Sequence, residues 1–397
     1  MSSPSAARAP WQRWAAWTFC LLIFAAIMND VRRFPKIHTT MPTYRFASTQ
    51  WWQGLDPYTA DQHAGFLYFP QAAFLFTPFN FGPPLLGDFL WRAATFGLFV
   101  YALVRMNQFF LSKDEAQSAK SFFILCLLAV PCSLASLRNA QFDLPLAALI
   151  VLAAASIASS RWTAAAAWLC FAVALKPLAV VPLLLFGAIY WKLIPRIIVG
   201  MLIVIALPFL HWSPAYVAHE YVRCFETLMS ASKGDEPKFS DLAALLSHVG
   251  YDPSYELKTV VRVIFALIFL GLGWMGVRRI NRVEAAWVIG ALSADYLMLF
   301  NPRTETCSYA FLGPWVASLA LFYSQQTKSK WLIWALGFGA LGLACDGFPK
   351  LGHLSIHDMT DRWLKPLIAL LFLPVLIQFI FQQQKTSASK FLRSELS

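Results

Sequence analysis

The sequence predicts an all-α fold, a polytopic membrane helix bundle of about 12 transmembrane helices. Three observations carry that reading. Hydrophobic residues make up 58% of the 397 residues and charged residues only 13%. The apolar residues come in long runs broken by short polar stretches. Crossing ~30 Å of hydrocarbon takes roughly 20 mostly apolar residues, and a backbone in lipid must satisfy its own hydrogen bonds, so each run reads as a helix. When the runs are threaded back and forth, all seven histidines fall on one face, with every acidic residue except Asp114, Glu115, Glu284 and Glu395.

In chain order the candidate spans are Trp11–Met28, Pro84–Met106, Ser121–Leu137, Phe142–Ala158, Trp162–Leu175, Pro177–Trp191, Ile194–Leu210, Lys258–Gly276, Ala285–Phe300, Tyr309–Tyr323, Trp331–Ala344 and Leu364–Phe381. Trp162–Leu175 and Pro177–Trp191 are short and meet at Lys176-Pro177. Proline inside a helix removes a hydrogen bond and kinks it, so one bent helix is the alternative there. The pair holds too many apolar positions for a single crossing, which favours a hairpin.

Orientation follows from the basic residues. With the N-terminus inside, the 32 Lys and Arg divide evenly between the faces. Compact clusters near span ends decide orientation, while long translocated loops count for little. Arg278-Arg279-Ile280-Asn281-Arg282 and the Lys385–Arg393 tail are such clusters. Both termini are therefore expected in the cytoplasm, with the net charge of +11 almost wholly on that side. Attraction to anionic lipid heads accounts for this charge, and nothing points to nucleic acid as a partner. The apolar run after Arg8 and Arg13 has no clean small-x-small cleavage site and reads as an uncleaved first helix. The seven cysteines are dispersed and suggest neither a disulfide framework nor a zinc site.

The polar chemistry lies in three outer loops, residues 29–83, 210–257 and 345–363, and at the helix tops beside them. The first loop is far longer than an ordinary connection, and such loops are usually functional. It opens with Asp30, Arg32, Arg33 and Lys36. Tyr44–Gly54 then has apolar groups at helical spacing and suggests a helix lying in the interface. A Gly54-Leu55-Asp56-Pro57-Tyr58 turn follows, and Gln71–Phe81 is apolar but too short to span. In the second loop, Tyr216–Met229 is helix-like. In the third, His353, His357 and Asp358 read as a solvated surface rather than a metal site, and no metal or cofactor is expected. Arg138, Asn139 and Gln141 between the third and fourth spans, Lys176 after the fifth, and Arg303 and Glu305 after the ninth form polar clusters at the lipid boundary. Each alone fits a helix cap or a snorkelling head group; three on one face point to a shared polar cavity.

Four stretches in order resemble the polyprenyl-phosphate-sugar-dependent glycosyltransferases of the GT-C fold, within them family 87, the mannosyltransferase-like integral membrane proteins. They are Tyr44…Ala47…Gly54-x-Asp56-Pro57-Tyr58 with Tyr68-x-Pro70, Arg138-Asn139-Ala140-Gln141-Phe142-Asp143, Ala174-Leu175-Lys176-Pro177, and Pro302-Arg303-Thr304-Glu305…Tyr309. One departure stands out: fourteen residues before the loop glycine, where the family usually has an aspartate, this chain has Thr40.

The resemblance implies a single GT-C-like domain in the bacterial plasma membrane. It would move a hexose from a polyprenyl-phosphate carrier to a glycolipid or glycan acceptor on the extracytoplasmic face. Arg and Lys would screen the leaving phosphate, and one carboxylate would take the acceptor proton. In these terms Asp30 is the first candidate base and Asp56 the second. Arg138, Lys176 and Arg303 are candidate phosphate ligands, Asn139, Gln141 and Tyr58 candidate contacts to sugar or carrier, and Glu305 a residue to orient Arg303. The competing classes are a lipid-linked glycan flippase or transporter and a glycan polymerase or ligase. The halves show no convincing internal repeat, the usual pointer to a transporter.

Overall fold

The computed structural model describes residues 11–35, 37, 39–59, 65–111, 114–232, 239–326, 329–345 and 363–395. It is helical, with no strand among the described residues. The expectations for residues 346–362, including His353, His357 and Asp358, lie outside them.

Among the described residues, seven helical stretches are long and apolar enough to cross a bilayer: Trp11–Arg33, Pro84–Leu111, Gln117–Asn139, Trp191–Leu210, Tyr255–Arg279, Arg282–Phe300 and Lys365–Gln382. Asp143–Ala158, Trp162–Leu175 and Pro177–Ile189 are apolar but shorter. The helices are α1 (Trp11–Arg33), α2 (Met41–Gln53), α3 (Pro70–Phe76), α4 (Pro84–Met106), α5 (Glu115–Ala129), α6 (Leu134–Asn139), α7 (Asp143–Ala158), α8 (Trp162–Leu175) and α9 (Val180–Ile189). They continue as α10 (Ile194–Ala206), α11 (Pro214–Ser232), α12 (Leu242–His248), α13 (Tyr255–Arg279), α14 (Arg282–Phe300), α15 (Gly313–Gln325), α16 (Lys330–Gly342) and α17 (Lys365–Glu395).

The short helix α7 is the central post. Every residue from Asp143 to Ala158 is buried, and α4, α8 and α14 pack around it. A helix surrounded by protein need not match the bilayer thickness, which explains its length. Helices with one lipid-facing stripe stand outside: α10 exposes Ile198, Val199, Leu202 and Ile203, α13 exposes Val260, Val263, Ile264 and Leu267, and α16 exposes Trp331, Trp334 and Phe338.

At Lys176 the backbone is extended (φ −149, ψ 129), so α8 stops there and Pro177 opens a short 3-10 turn into α9. Trp162, the first residue of α8, touches Tyr190 just past the end of α9, with ring centroids 5.7 Å apart. The pair is a hairpin. The interfacial stretch of the first loop is α2, which buries Met41, Tyr44, Ala47, Ser48 and Trp51 on one face and ends on Gly54 in the left-handed conformation (φ 68). One charge lies deeper than its sequence placement suggested. Asp295 was grouped with the outer face, but it is fully buried within α14, and neither carboxylate oxygen has a hydrogen-bond partner.

Close packing gives a direct check. A Cβ on Gly290 of α14 would collide with the Trp315 ring of α15, whereas Gly337 of α16 faces open space. Overpacking a core typically costs about 1–3 kcal/mol. Gly290→Ala is therefore expected to lower the melting temperature in detergent while Gly337→Ala leaves it unchanged or raised; equal shifts would contradict this packing.

Candidate active site

The site starts from a backbone problem. The last carbonyls of a helix have no partner within it, and α6 ends among apolar neighbours. Arg92 of α4, fully buried, donates Nε to the Leu137 carbonyl at 3.1 Å and Nη2 to the Arg138 carbonyl at 2.8 Å. Thr40 donates its backbone N–H and its hydroxyl to the Asn139 carbonyl at 2.9 and 2.8 Å, and Trp91 Nε1 donates to the Ala140 carbonyl at 2.8 Å. Ala140 takes the left-handed conformation (φ 58), which costs a side-chain-bearing residue about 1–2 kcal/mol. The chain thereby reverses within six residues and presents Arg138, Gln141 and Asp143.

Each of these three meets a partner from elsewhere in the chain. Arg138 forms an ion pair with Asp30 at the end of α1 and donates to the Phe34 carbonyl at 2.9 Å. Gln141 Nε2 donates to Glu305 Oε2 at 2.6 Å. Asp143, fully buried, holds Lys176 through Oδ1 and accepts from Ser308 Oγ at 2.8 Å through Oδ2. The Asp30 side chain remains 47% exposed, and Glu305 is exposed. Above them the first loop contributes Tyr44 and Tyr68, whose hydroxyls lie 3.2 Å apart with both rings against Phe142. Burial raises both phenols well above their ordinary range, and the nearby Asp143 and Glu305 charges push Tyr68 further. Both rings stay neutral hydrogen-bonding groups.

Other expected residues lie apart from this centre. Asp56 accepts from the Tyr58 backbone N–H at 2.8 Å, a local turn, and pairs with Arg223 of α11 at 3.0 Å. Tyr58 is buried and donates to the Tyr68 carbonyl at 3.0 Å. Asp56 and Tyr58 thus pin the loop to α11. Tyr216, whose hydroxyl donates to the Leu55 carbonyl at 2.7 Å, does the same. Arg303 lies over the Phe239 ring and donates to the Ala231 carbonyl at 3.4 Å, while Glu305 is engaged by Gln141 and by the Cys307 thiol at 3.4 Å. Asn139 enters through its backbone carbonyl. The residues the sequence did not single out are Arg92, Asp143 and Ser308. Asp143 stood in the quoted motif, and an acid at the first position of a helix was its only local signal. Arg92 was hidden inside an apolar span.

An apolar groove of about 610 Å³ opens between the end of α1 and the start of α4, lined by Met28, Asn29, Arg32, Pro83, Leu85, Leu86 and Phe89, with Asp30 on the other face of α1. Among the described residues no three His, Cys, Asp or Glu side chains group as metal ligands. Paired charges gather at one end of a bundle whose helices are long and apolar enough to cross a membrane. The chain belongs to glycosyltransferase family 87, whose family model matches residues 66–302. That stretch holds Arg138, Asn139, Gln141, Asp143 and Lys176, while Asp30 and Glu305 flank it. No curated protein matches the chain.

Two outcomes are expected from this geometry. Removing one partner of a buried ion pair costs about 3–5 kcal/mol, whereas replacing both with apolar groups is often neutral. Lys176→Met should destabilise the protein, and Asp143→Leu with Lys176→Met should recover much of the loss in thermal melts; a double variant no better than the single would contradict the pairing. The second concerns Glu220 of α11, buried beside His219, Asp56 and Arg223. Burial raises its pKa, and the His219 hydrogen bond at 3.1 Å only partly offsets this. A carboxyl raised in the folded state adds stability below its unfolded pKa and loses it as pH rises through the folded value. Glu220→Gln should therefore melt higher than the parent at pH 8 and no higher at pH 4. A pH-independent gap would contradict the burial effect.

Proposed function

We propose that the protein transfers a hexose from a polyprenyl-phosphate carrier to an acceptor hydroxyl by a single inverting displacement, on the extracytoplasmic face of a bacterial plasma membrane. In this reading the bundle has twelve spans of GT-C type with both termini cytoplasmic. The shorter apolar helices α7, α8 and α9 complete crossings inside the protein rather than against lipid. The observation that carries the proposal is the convergence of the Asp30–Arg138, Gln141–Glu305 and Asp143–Lys176 pairs on the α6–α7 turn, at the end of α1 where an apolar groove also opens.

The carrier's alkyl chain lies in that groove, and its phosphate exchanges with Asp30 for the Arg138 guanidinium, with Arg32 beside it. A guanidinium fork suits a phosphate, and it stabilises the charge that develops as the bond from the sugar's anomeric carbon to phosphate oxygen breaks. The sugar then extends inward over Gln141. The acceptor oxygen attacks the anomeric carbon from the side opposite the phosphate, giving its proton to a carboxylate, and the bond electrons leave with the polyprenyl phosphate.

Two carboxylates compete for the proton. Asp30 is bonded to the phosphate-binding arginine and therefore lies on the leaving-group side. Glu305 lies across the turn, exposed, and oriented by Gln141, which favours it as the base. Thr40, where the family usually has an aspartate, is occupied in closing the turn through the Asn139 carbonyl.

The test is incubation of purified protein with a panel of polyprenyl-phosphate sugars, scored by released polyprenyl phosphate. Positioned proton abstraction typically contributes about 10²–10⁴-fold, so Glu305→Gln is expected to lose turnover in that range while keeping carrier affinity. Arg138→Ala should weaken carrier binding about ten- to a hundredfold, the loss of one charge-assisted contact. If Asp30→Asn abolishes turnover while Glu305→Gln spares it, the base is Asp30. If no carrier in the panel releases its phosphate, the donor class is wrong.

A further inference from the structure

A second pocket, of about 270 Å³, opens where α12 meets the outer ends of α13 and α14. Its walls are apolar, formed by Leu242, Leu246, Leu257, Val261, Leu299 and Phe300. Lys258 and Arg262 stand at its edge, four residues apart on α13 and so on one face of that helix. Among the lining residues the acid is Asp241, while Asp252 and Glu256 lie in the adjoining loop and first turn of α13 without lining the pocket. Asp241 Oδ1 caps α12 by accepting from the Ala244 N–H at 2.9 Å, and burial raises its pKa against the pull of Arg262 and Lys258. The lining residues thus hold two cations and one acid.

Its depth in the membrane follows from α13. Tyr251 and Tyr255, exposed at the start of the helix, are residues of the interface belt. Val260, Val263, Ile264 and Leu267 beyond them are exposed to lipid. An apolar cleft with two cations at this level complements one kind of molecule, with an alkyl chain below and an anionic phosphate head above.

We propose that this pocket is an accessory site for an anionic phospholipid of the same leaflet as the candidate active site, distinct from the groove between α1 and α4. The lipid's chain fills the space between Leu246, Val261 and Phe300, and its phosphate bridges Lys258 and Arg262. The site is tied to the Glu305 turn through the backbone. The Ser240 N–H donates to the Thr304 carbonyl at 2.7 Å, and Tyr309 donates its hydroxyl to the Ser240 carbonyl at 2.8 Å. A lipid that steadies Asp241 and Leu242 therefore steadies the turn that carries Glu305 and Ser308. Binding at the pocket does not depend on the transfer chemistry proposed above.

The test is native mass spectrometry of the full chain in neutral detergent, titrated with dioctanoyl-phosphatidylglycerol and with dioctanoyl-phosphatidylcholine, alongside hydrogen exchange of the Ser240 amide. The parent is expected to retain the anionic lipid preferentially and to slow exchange at Ser240. Lys258→Ala with Arg262→Ala should weaken that lipid about ten- to a hundredfold, the loss of charge-assisted contacts, and erase the preference. Leu246→Trp, which fills the cleft, should weaken both lipids; Ala243→Leu replaces it if that variant fails to fold. Arg278→Ala with Arg279→Ala, at the opposite end of α13, should leave the preference intact. Equal retention of both lipids by the parent, or an equal loss in the Arg278/Arg279 variant, would overturn the site. Transfer activity is measured separately, so loss of the lipid site and failure of the donor assignment remain distinguishable.

Discussion

The arrangement depends on one solved backbone problem, the end of α6. The Leu137 carbonyl accepts from the Ala140 N–H, but the three carbonyls that follow, from Arg138 to Ala140, need donors from outside the turn. Arg92, Thr40 and Trp91 supply all of them. An unsatisfied buried carbonyl costs about 1–3 kcal/mol, so the turn would not hold its left-handed Ala140 without these donors. Arg92 is in turn held by Asp88, which also binds Arg45 of α2 at 2.8 Å. The first loop, the α4 helix and the α6–α7 turn are thereby one unit, and the side chains of Arg138, Gln141 and Asp143 are aimed by it.

Around that turn the charges are arranged as pairs. An isolated ion at the lipid boundary is expensive, and Asp30 with Arg138 and Asp143 with Lys176 relieve the cost in the resting protein. The two pairs differ in accessibility. Asp143 is sealed and shared with Ser308, a fixed counter-ion that ties α7, α8 and the turn after α14 together. Asp30 is half-exposed, which in the proposed reaction leaves it open to replacement by an incoming anion. One sealed and one accessible pair is the arrangement that the proposed phosphate-carrier donor would require.

Much of this was legible in the sequence, for a physical reason. Polar residues wedged between apolar runs have few bland explanations, so Arg138, Gln141, Lys176 and Glu305 stood out without knowledge of their partners. What sequence spacing cannot supply is pairing across more than a hundred residues. It set Glu305 to orient Arg303, but the fold hands Glu305 to Gln141 and turns Arg303 toward Phe239. Asp56, read as a possible base, is a turn residue tethered to Arg223. Arg92 was invisible because a single arginine in an apolar run reads as a tolerated charge. Asp295 was read at the surface because threading assigns a face and not a depth. Length alone marks seven spans among the described residues, because helices buried by their neighbours, such as Asp143–Ala158, are shorter than a lipid-facing crossing.

The most direct measurement of where the phosphate binds is a cryo-electron microscopy map of the protein with polyprenyl phosphate. The expected result is phosphate density within hydrogen-bonding distance of the Arg138 guanidinium, about 2.7–2.9 Å, with Asp30 displaced and the alkyl chain along the groove lined by Met28, Leu85 and Phe89. Density at the opposite end of the bundle, or an intact Asp30–Arg138 pair with the carrier fully bound, would contradict it.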